Sequence, residues 1–339
     1  MNLKMENREN YPGMNGLRAY SIIGIVMGHV LSNGNYGLSG ILYQRIIPSL
    51  MELVFLFMII SAFSMSCGYY EKMVRGKISL EQFYIKRYKK IWPLFAVLCT
   101  LDLIMNPSVN SLYEYLADLT LAFGFIPNAK IEIIGVGWFL GLVFVFYMIF
   151  PFYCFLISSK KRAWLAFAVS ILINLLCLSR FTDANDKFLM TYSAMYFFFG
   201  GILFIYREEI SRTPVVLRIV NIVVIPFAWI LTYCYLNNSI TKLVLYGLVA
   251  TIAIHSSTNS LLSNKLIDAI SKYGLEIYLI HMVVFRVLER MNVIHLFRRE
   301  DISYFAVVVM TFGMSFIIAV TIKRIGKIIH DYVYMRKTR

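Results

Sequence analysis

The sequence predicts an all-α membrane protein, a bundle of about ten transmembrane helices with both termini in the cytoplasm. Three observations predict it. The 339-residue chain is 59% hydrophobic and 15% charged, with a mean hydropathy of +0.68, too apolar for a soluble domain of this size. Apolar runs of about 17 to 25 residues, the length a helix needs to cross a bilayer, recur along the chain. Lys and Arg concentrate on alternate connections between those runs, as cytoplasmic loops require.

Ten runs can be marked, at about 17–35, 46–69, 88–105, 136–158, 163–179, 191–206, 214–236, 239–255, 270–288 and 303–323. No series of alternating ten-residue strands is present, which argues against a closed barrel. With the N-terminus inside, 24 of the 33 Lys and Arg residues fall on inward segments and nine on outward ones. The net charge of +14 is therefore a topology signal, and no nucleic-acid partner is expected. The opening MNLKMENRENYPGMN is polar and has no small-residue cleavage site, so the first run itself is expected to direct insertion. Cys67, Cys99, Cys154, Cys177 and Cys234 all lie in apolar runs without a CxxC pair and read as core filler. No metal-spaced cluster, GxSxG or HExxH occurs, so no metal is expected.

The first run carries Arg18 and His29, eleven residues apart. Ionisable groups inside a membrane helix are costly and mark pathways or reactive sites. Eleven residues make about three turns, so both side chains share one helix face, roughly 16 Å apart along the axis. Such a helix suits a long ligand held by a charged head at one end and reacting at the other. A neutral imidazole is a usable general base for a hydroxyl, and Arg18 is placed to pair with phosphate groups of a donor entering from the cytosol.

Glu52, in the second run, is expected at a depth close to that of His29 and is the first choice for orienting the imidazole, since a base is commonly held by a third group. Glu276, in the ninth run, is the second choice. The basic stretch Lys86-Arg87-Tyr88-Lys89-Lys90 opens the third run and suits either a positive-inside anchor or a funnel for a polyanionic donor. Between the third and fourth runs, SLYEYLADLTLAFGF sets Glu114 and Asp118 apart from Leu112, Tyr115, Leu119 and Phe123, the pattern of an amphipathic interfacial helix. His281 is expected at a depth similar to His29, so the two can converge. The outward loop 286–302 carries Arg286, Arg290, Arg298 and Arg299, which suits a solvated helix end or contact with an anionic glycan or headgroup.

Asn15-Gly16-Leu17-Arg18 followed by ten residues and His29 resembles the opening motif of the acyltransferase-3 family, integral membrane O-acyltransferases that modify bacterial surface glycans and lipids. Four further features are similar to that family: Phe57 with Ser61-Ala62-Phe63 (FFxxSGF), Arg87, Lys90 and Pro93 (RxxR-x-x-P), Trp138-Phe139-Leu140 with Tyr147 and Pro151 (WFL...Y...P), and Ser271, Tyr273 and Ile277-Tyr278-Leu279-Ile280-His281 (SYxxYLIH). The likeness covers about residues 14–325, so the whole chain, 1–339, reads as a single domain. The chain runs about sixteen residues past its last apolar run, so no appended extracytoplasmic domain is expected. Three positions depart from the pattern. Ala62 replaces a glycine, Lys90 replaces an arginine and so offers a point charge in place of a planar fork, and Val143 stands where many members carry a glutamate.

The resemblance implies a bacterial cell-membrane, multi-pass O-acetyltransferase. Acetyl-CoA fits as donor, because it presents phosphates at one end and a thioester on a long arm. His29 acts as general base or as a covalent acyl carrier, with Glu52 and His281 in support. Arg18, Arg87 and Lys90 hold the donor, and Trp138, Tyr147 and Tyr278 line the substrate path. The acceptor is a hydroxyl of a polysaccharide or glycolipid. The competing expectation is a glycolipid transporter or flippase using Arg18, Glu52 and His29 as a substrate or proton site, but the halves show no internal repeat of the kind transporters often carry.

Overall fold

The computed structural model describes residues 11–105, 107–121, 137–178, 190–255 and 261–337. Among them the chain is helical throughout its regular structure, with no strand. The elements that matter here are α1 (Pro12–Gly34), α2 (Leu42–Val74), α3 (Leu80–Met105), α4 (Val109–Leu119), α5 (Trp138–Leu156), α6 (Lys160–Leu178), α7 (Met190–Ile205), α8 (Val215–Leu236), α9 (Ser239–His255), α10 (Lys265–Lys272), α11 (Gly274–Arg290) and α12 (Glu300–Lys337). Helix fills most of each expected apolar run where it is described, and four helices, α2, α5, α8 and α12, are long and apolar enough by length and composition to cross a membrane. The limits at 136 and 179, and Phe123, lie outside the described residues.

Helix α1 is the hub: it packs against α2, α9, α10, α11 and α12. Its start and stop are local chemistry, with Pro12 in the first turn, where a missing N–H costs nothing, and Asn35 beyond its end at φ 51°, a left-handed position that asparagine tolerates. Close neighbours require small residues on its faces. A Cβ on Gly16 would overlap the carbonyl of Leu262. The same reasoning joins α2 to α7, where a Cβ on Gly200 would collide with the Ile59 carbonyl and meet Ala62. Ala62, the departure from the family's glycine, is thus part of this helix contact.

Helices α8 and α12 lie at the periphery, with almost no residue of Val215–Ile230 buried. An apolar helix with an uncovered apolar surface is what lipid contact requires. Among the described residues, three π-helical turns interrupt the bundle, at Leu42–Ile46, Ser66–Tyr70 and Leu231–Leu236. Such turns often mark functional sites, and each of the three contributes to a cavity wall described below.

One sequence expectation changes and another gains its orientation. The ninth run is two helices, because the chain turns at Tyr273 between α10 and α11. Asn264 caps α10 by accepting from the backbone N–H groups of Leu266 and Ile267, both at 3.1 Å. Helix α4 is amphipathic as expected, but it buries Asp118 and leaves Leu112, Tyr113 and Leu116 exposed. Its docking is polar: Trp92 Nε1 donates to the Leu119 carbonyl at 2.8 Å and Thr100 meets the Tyr115 hydroxyl at 3.2 Å. The uncovered leucines suit the lipid interface.

Candidate active site

A cavity of about 450 Å³ surrounds the N-terminal half of α1. Arg18 projects into it with its guanidinium donating to Asn15 Oδ1 at 3.2 Å and to Ser64 Oγ at 3.0 Å. Arg87, from α3, donates to the Tyr69 hydroxyl and lies over the Tyr69 ring, 4.5 Å from its centroid, and the Tyr147 ring at 5.7 Å. These partners are neutral. They hold both guanidiniums in place without cancelling their charge, the arrangement that bidentate recognition of phosphate needs. Lys90, Lys272 and Lys323 line the same cavity, and Glu276 is the acid among its lining residues. Lys323 pairs with Glu276 Oε1 at 3.0 Å, so the cavity keeps a large positive excess.

Farther along α1, His29 meets His281 of α11. The two rings are nearly parallel, 9° apart in plane, and His29 Nδ1 lies 2.9 Å from His281 Nε2. The tautomers follow from one neighbour. His281 Nδ1 lies 2.6 Å from the Tyr278 carbonyl, which can only accept, so Nδ1 of His281 carries the proton. In the neutral ring its Nε2 is then an acceptor, and His29 must donate from Nδ1. That leaves the lone pair of His29 on Nε2. The carbonyl of His29 also accepts from Asn33 Nδ2 at 2.8 Å.

His29 lines a second cavity, of about 310 Å³, with Gln44, Arg45, Ser49, Glu52, Trp138, Tyr233 and Asn237. Tyr278 borders both cavities, and its ring packs on Phe139 at 5.5 Å and Phe57 at 6.4 Å between centroids. The two cavities therefore meet at an aromatic wall next to the histidine pair.

The residues expected to form one site are distributed between these spaces. Arg18, Arg87, Lys90 and Tyr147 line the first cavity, His29, Glu52 and Trp138 line the second, and Tyr278 touches both, while His281 stands fully buried behind His29. Glu52, expected to orient the imidazole, instead pairs with Lys242 at 2.7 Å, and the Nδ1 of His29 is met by His281. Glu276 likewise serves Lys323 in the first cavity. Val143, where family members carry a glutamate, lines the first cavity. Of the outer-loop arginines, Arg286 pairs with Glu289 and Arg299 with Asp301.

Sequence reasoning missed Lys242, Lys272 and Lys323. Lys242 had a readable signal, a lone base one turn inside an apolar run. The other two looked like ordinary loop and tail charges, and only the packing of α10 and α12 around α1 brings them to the cavity.

These features define a class: a helical membrane protein with a cationic cavity and a polar cavity that converge on a tautomer-locked imidazole. The chain belongs to the acyltransferase-3 family, whose model, described as an acyltransferase domain, matches residues 11–324. No curated protein and no solved structure matches it significantly. It is a membrane acyltransferase, and so takes an acyl donor and an acceptor. No group of three or more metal-binding side chains occurs among the described residues.

Proposed function

We propose that the protein transfers an acyl group, most simply acetyl, from cytosolic acyl-CoA to a hydroxyl of a surface or secreted polysaccharide or glycolipid, in the cell membrane that its apolar helices span. The observation that carries this reading is the histidine pair, with His29 lining a polar cavity and a cation-lined cavity one aromatic wall away. In this reading the Arg18 end of α1 faces the cytosol. Arg18, Arg87 and Lys90 hold the phosphates of coenzyme A, and the thioester arm runs past Tyr147 to Tyr278. Trp138 and Glu52 face the acceptor.

The acceptor hydroxyl gives its proton to His29 Nε2 as its oxygen attacks the thioester carbonyl. The carbon–oxygen bond forms, the carbon–sulfur bond breaks, and the departing thiolate takes the proton back from His29. His281 is a positioning residue: by accepting from Nδ1 it keeps the lone pair of His29 on Nε2 and supports the imidazolium while it exists, as a third group does in other base-catalysed acyl transfers. Removing a general base costs about 10²–10⁴-fold in rate.

The test is donor turnover by purified protein in detergent. His29→Ala is expected to bind acetyl-CoA like the wild type and to lose at least about a hundredfold in acyl transfer. Normal transfer by that variant would end the general-base assignment, and absence of acetyl-CoA binding by the wild type would end the donor assignment.

A further inference from the structure

A side cavity of about 360 Å³ opens from the Arg18 cavity, and the two share Asn15, Arg18, Lys90, Ser271 and Lys272. Beyond that shared root the walls differ in kind. The main arm runs between aromatic rings, Phe57, Phe139, Tyr147 and Tyr278, toward the histidine pair. The side arm is polar, with Ser263 and Asp268 on its wall. The space is thus forked, with three cations at the fork.

A coenzyme A thioester divides in the same way. Its long arm is uncharged and ends at the reacting carbon, its pyrophosphate stands at the root of that arm, and its nucleoside carries a further phosphate on the 3′ oxygen. The aromatic arm must take the thioester, because it is the one that leads toward His29. The pyrophosphate then falls at Arg18 and Arg87, whose guanidiniums are already braced by neutral partners. What is left of the donor is the nucleoside, and what is left of the cavity is the side arm.

We propose that this side arm seats the 3′-phosphoadenosine end of the donor and that Lys272 recognises its 3′-phosphate; this rests on the acyl-CoA reading above. Lys272 closes α10, and its backbone is tied down, since Lys323 Nζ donates to its carbonyl at 2.7 Å. Lys323 spends its charge on Glu276. Lys272 instead has its ammonium near the Tyr273 ring, 5.4 Å from the centroid, where the cation keeps its charge for an anion. Asp268, one turn earlier on the same helix, supplies a carboxylate that can only accept, suited to a ribose hydroxyl or the adenine amino group.

The experiment compares binding of coenzyme A and 3′-dephospho-coenzyme A to the purified full-length protein. The wild type is expected to prefer coenzyme A by about tenfold or more, the size of one charge-assisted contact. Lys272→Ala should bring coenzyme A down to the level of the dephospho compound while leaving the latter unchanged. Lys272→Arg should retain the preference, and Lys265→Ala, on the same helix but lining neither cavity, should change nothing. Retention of the preference in Lys272→Ala, equal loss for both ligands, or a wild type that binds both equally would overturn the subsite with the donor reading intact. A wild type that binds neither ligand would remove both.

Discussion

The two cavities differ in how much positive charge they leave unmatched. In the Arg18 cavity two guanidiniums are braced by an amide, hydroxyls, a thioether and aromatic rings, so their charge remains available. On the wall of the His29 cavity the Glu52 carboxylate meets the buried ammonium of Lys242 behind it at 2.7 Å, and Arg45 donates to the Tyr233 carbonyl at 3.4 Å. A cavity with several cations resting on neutral groups is preorganised for an anion; one whose wall carries a paired carboxylate and a single arginine suits a largely neutral polar molecule. That contrast fits an anionic donor on one side and a hydroxyl-bearing acceptor on the other.

The largest effect that can break this picture lies between the cavities. His281→Phe removes the acceptor for His29 Nδ1 and lets the imidazole adopt the wrong tautomer. Transfer is expected to fall by at least about a hundredfold, with donor affinity unchanged and the pH–rate profile displaced; His281→Gln, which can still accept, should recover part of the rate. A variant with normal rate and profile would show that the pair has no role in positioning the base.

Next in size is the ion pair of the second cavity. Lys242→Met leaves the Glu52 carboxylate without its cation and should destabilise the protein by roughly 2–3 kcal/mol, in line with breaking a partly buried pair. Thermal unfolding in detergent measures it. The double variant Lys242→Met with Glu52→Gln should regain most of that stability yet show a raised KM for acceptor, because Glu52 then no longer orients hydroxyls. Full recovery of both would make the pair purely structural.

The first cavity gives a smaller and more selective effect. Arg18→Ala or Arg87→Ala should weaken donor binding by about ten- to a hundredfold and leave the acceptor KM alone. Added salt should narrow the gap between wild type and variants, since part of the attraction is screened.

The same contrast explains what could be read without coordinates. Apolar runs are contiguous signals, so helix fills most of each described run, and the Arg18–His29 spacing is a property of one helix. Lys272 and Lys323 come from segments separated by half a hundred residues, and their shared cavity depends on which helices neighbour α1, a fact with no local sequence signature. The break at Tyr273 was hidden because Gly274, placed beside Arg18, interrupts a run whose hydropathy continues through it. The burial of Asp118 was not legible for a different reason: on an interfacial helix the uncovered face meets lipid, so an amphipathic pattern alone does not say which side is buried.

Asp118 also provides the smallest test, at a place remote from both cavities. Its side chain is 2% exposed, and burial, followed by the charges of Glu114 and Asp102, pushes its carboxyl up to about 7. The proton is bound more tightly in the folded protein than in the unfolded chain, so its contribution is fully present below the ordinary carboxyl range and is lost as pH rises through about 7. Docking of α4 should therefore loosen between about pH 4 and pH 7, seen as faster amide exchange over residues 109–119. Asp118→Asn should remove that dependence and tighten the helix at pH 8 by about 1 kcal/mol, without changing donor binding. If exchange in the wild type is flat across this range, the buried carboxylate has a compensating partner and α4 is held by the Trp92 and Thr100 contacts alone.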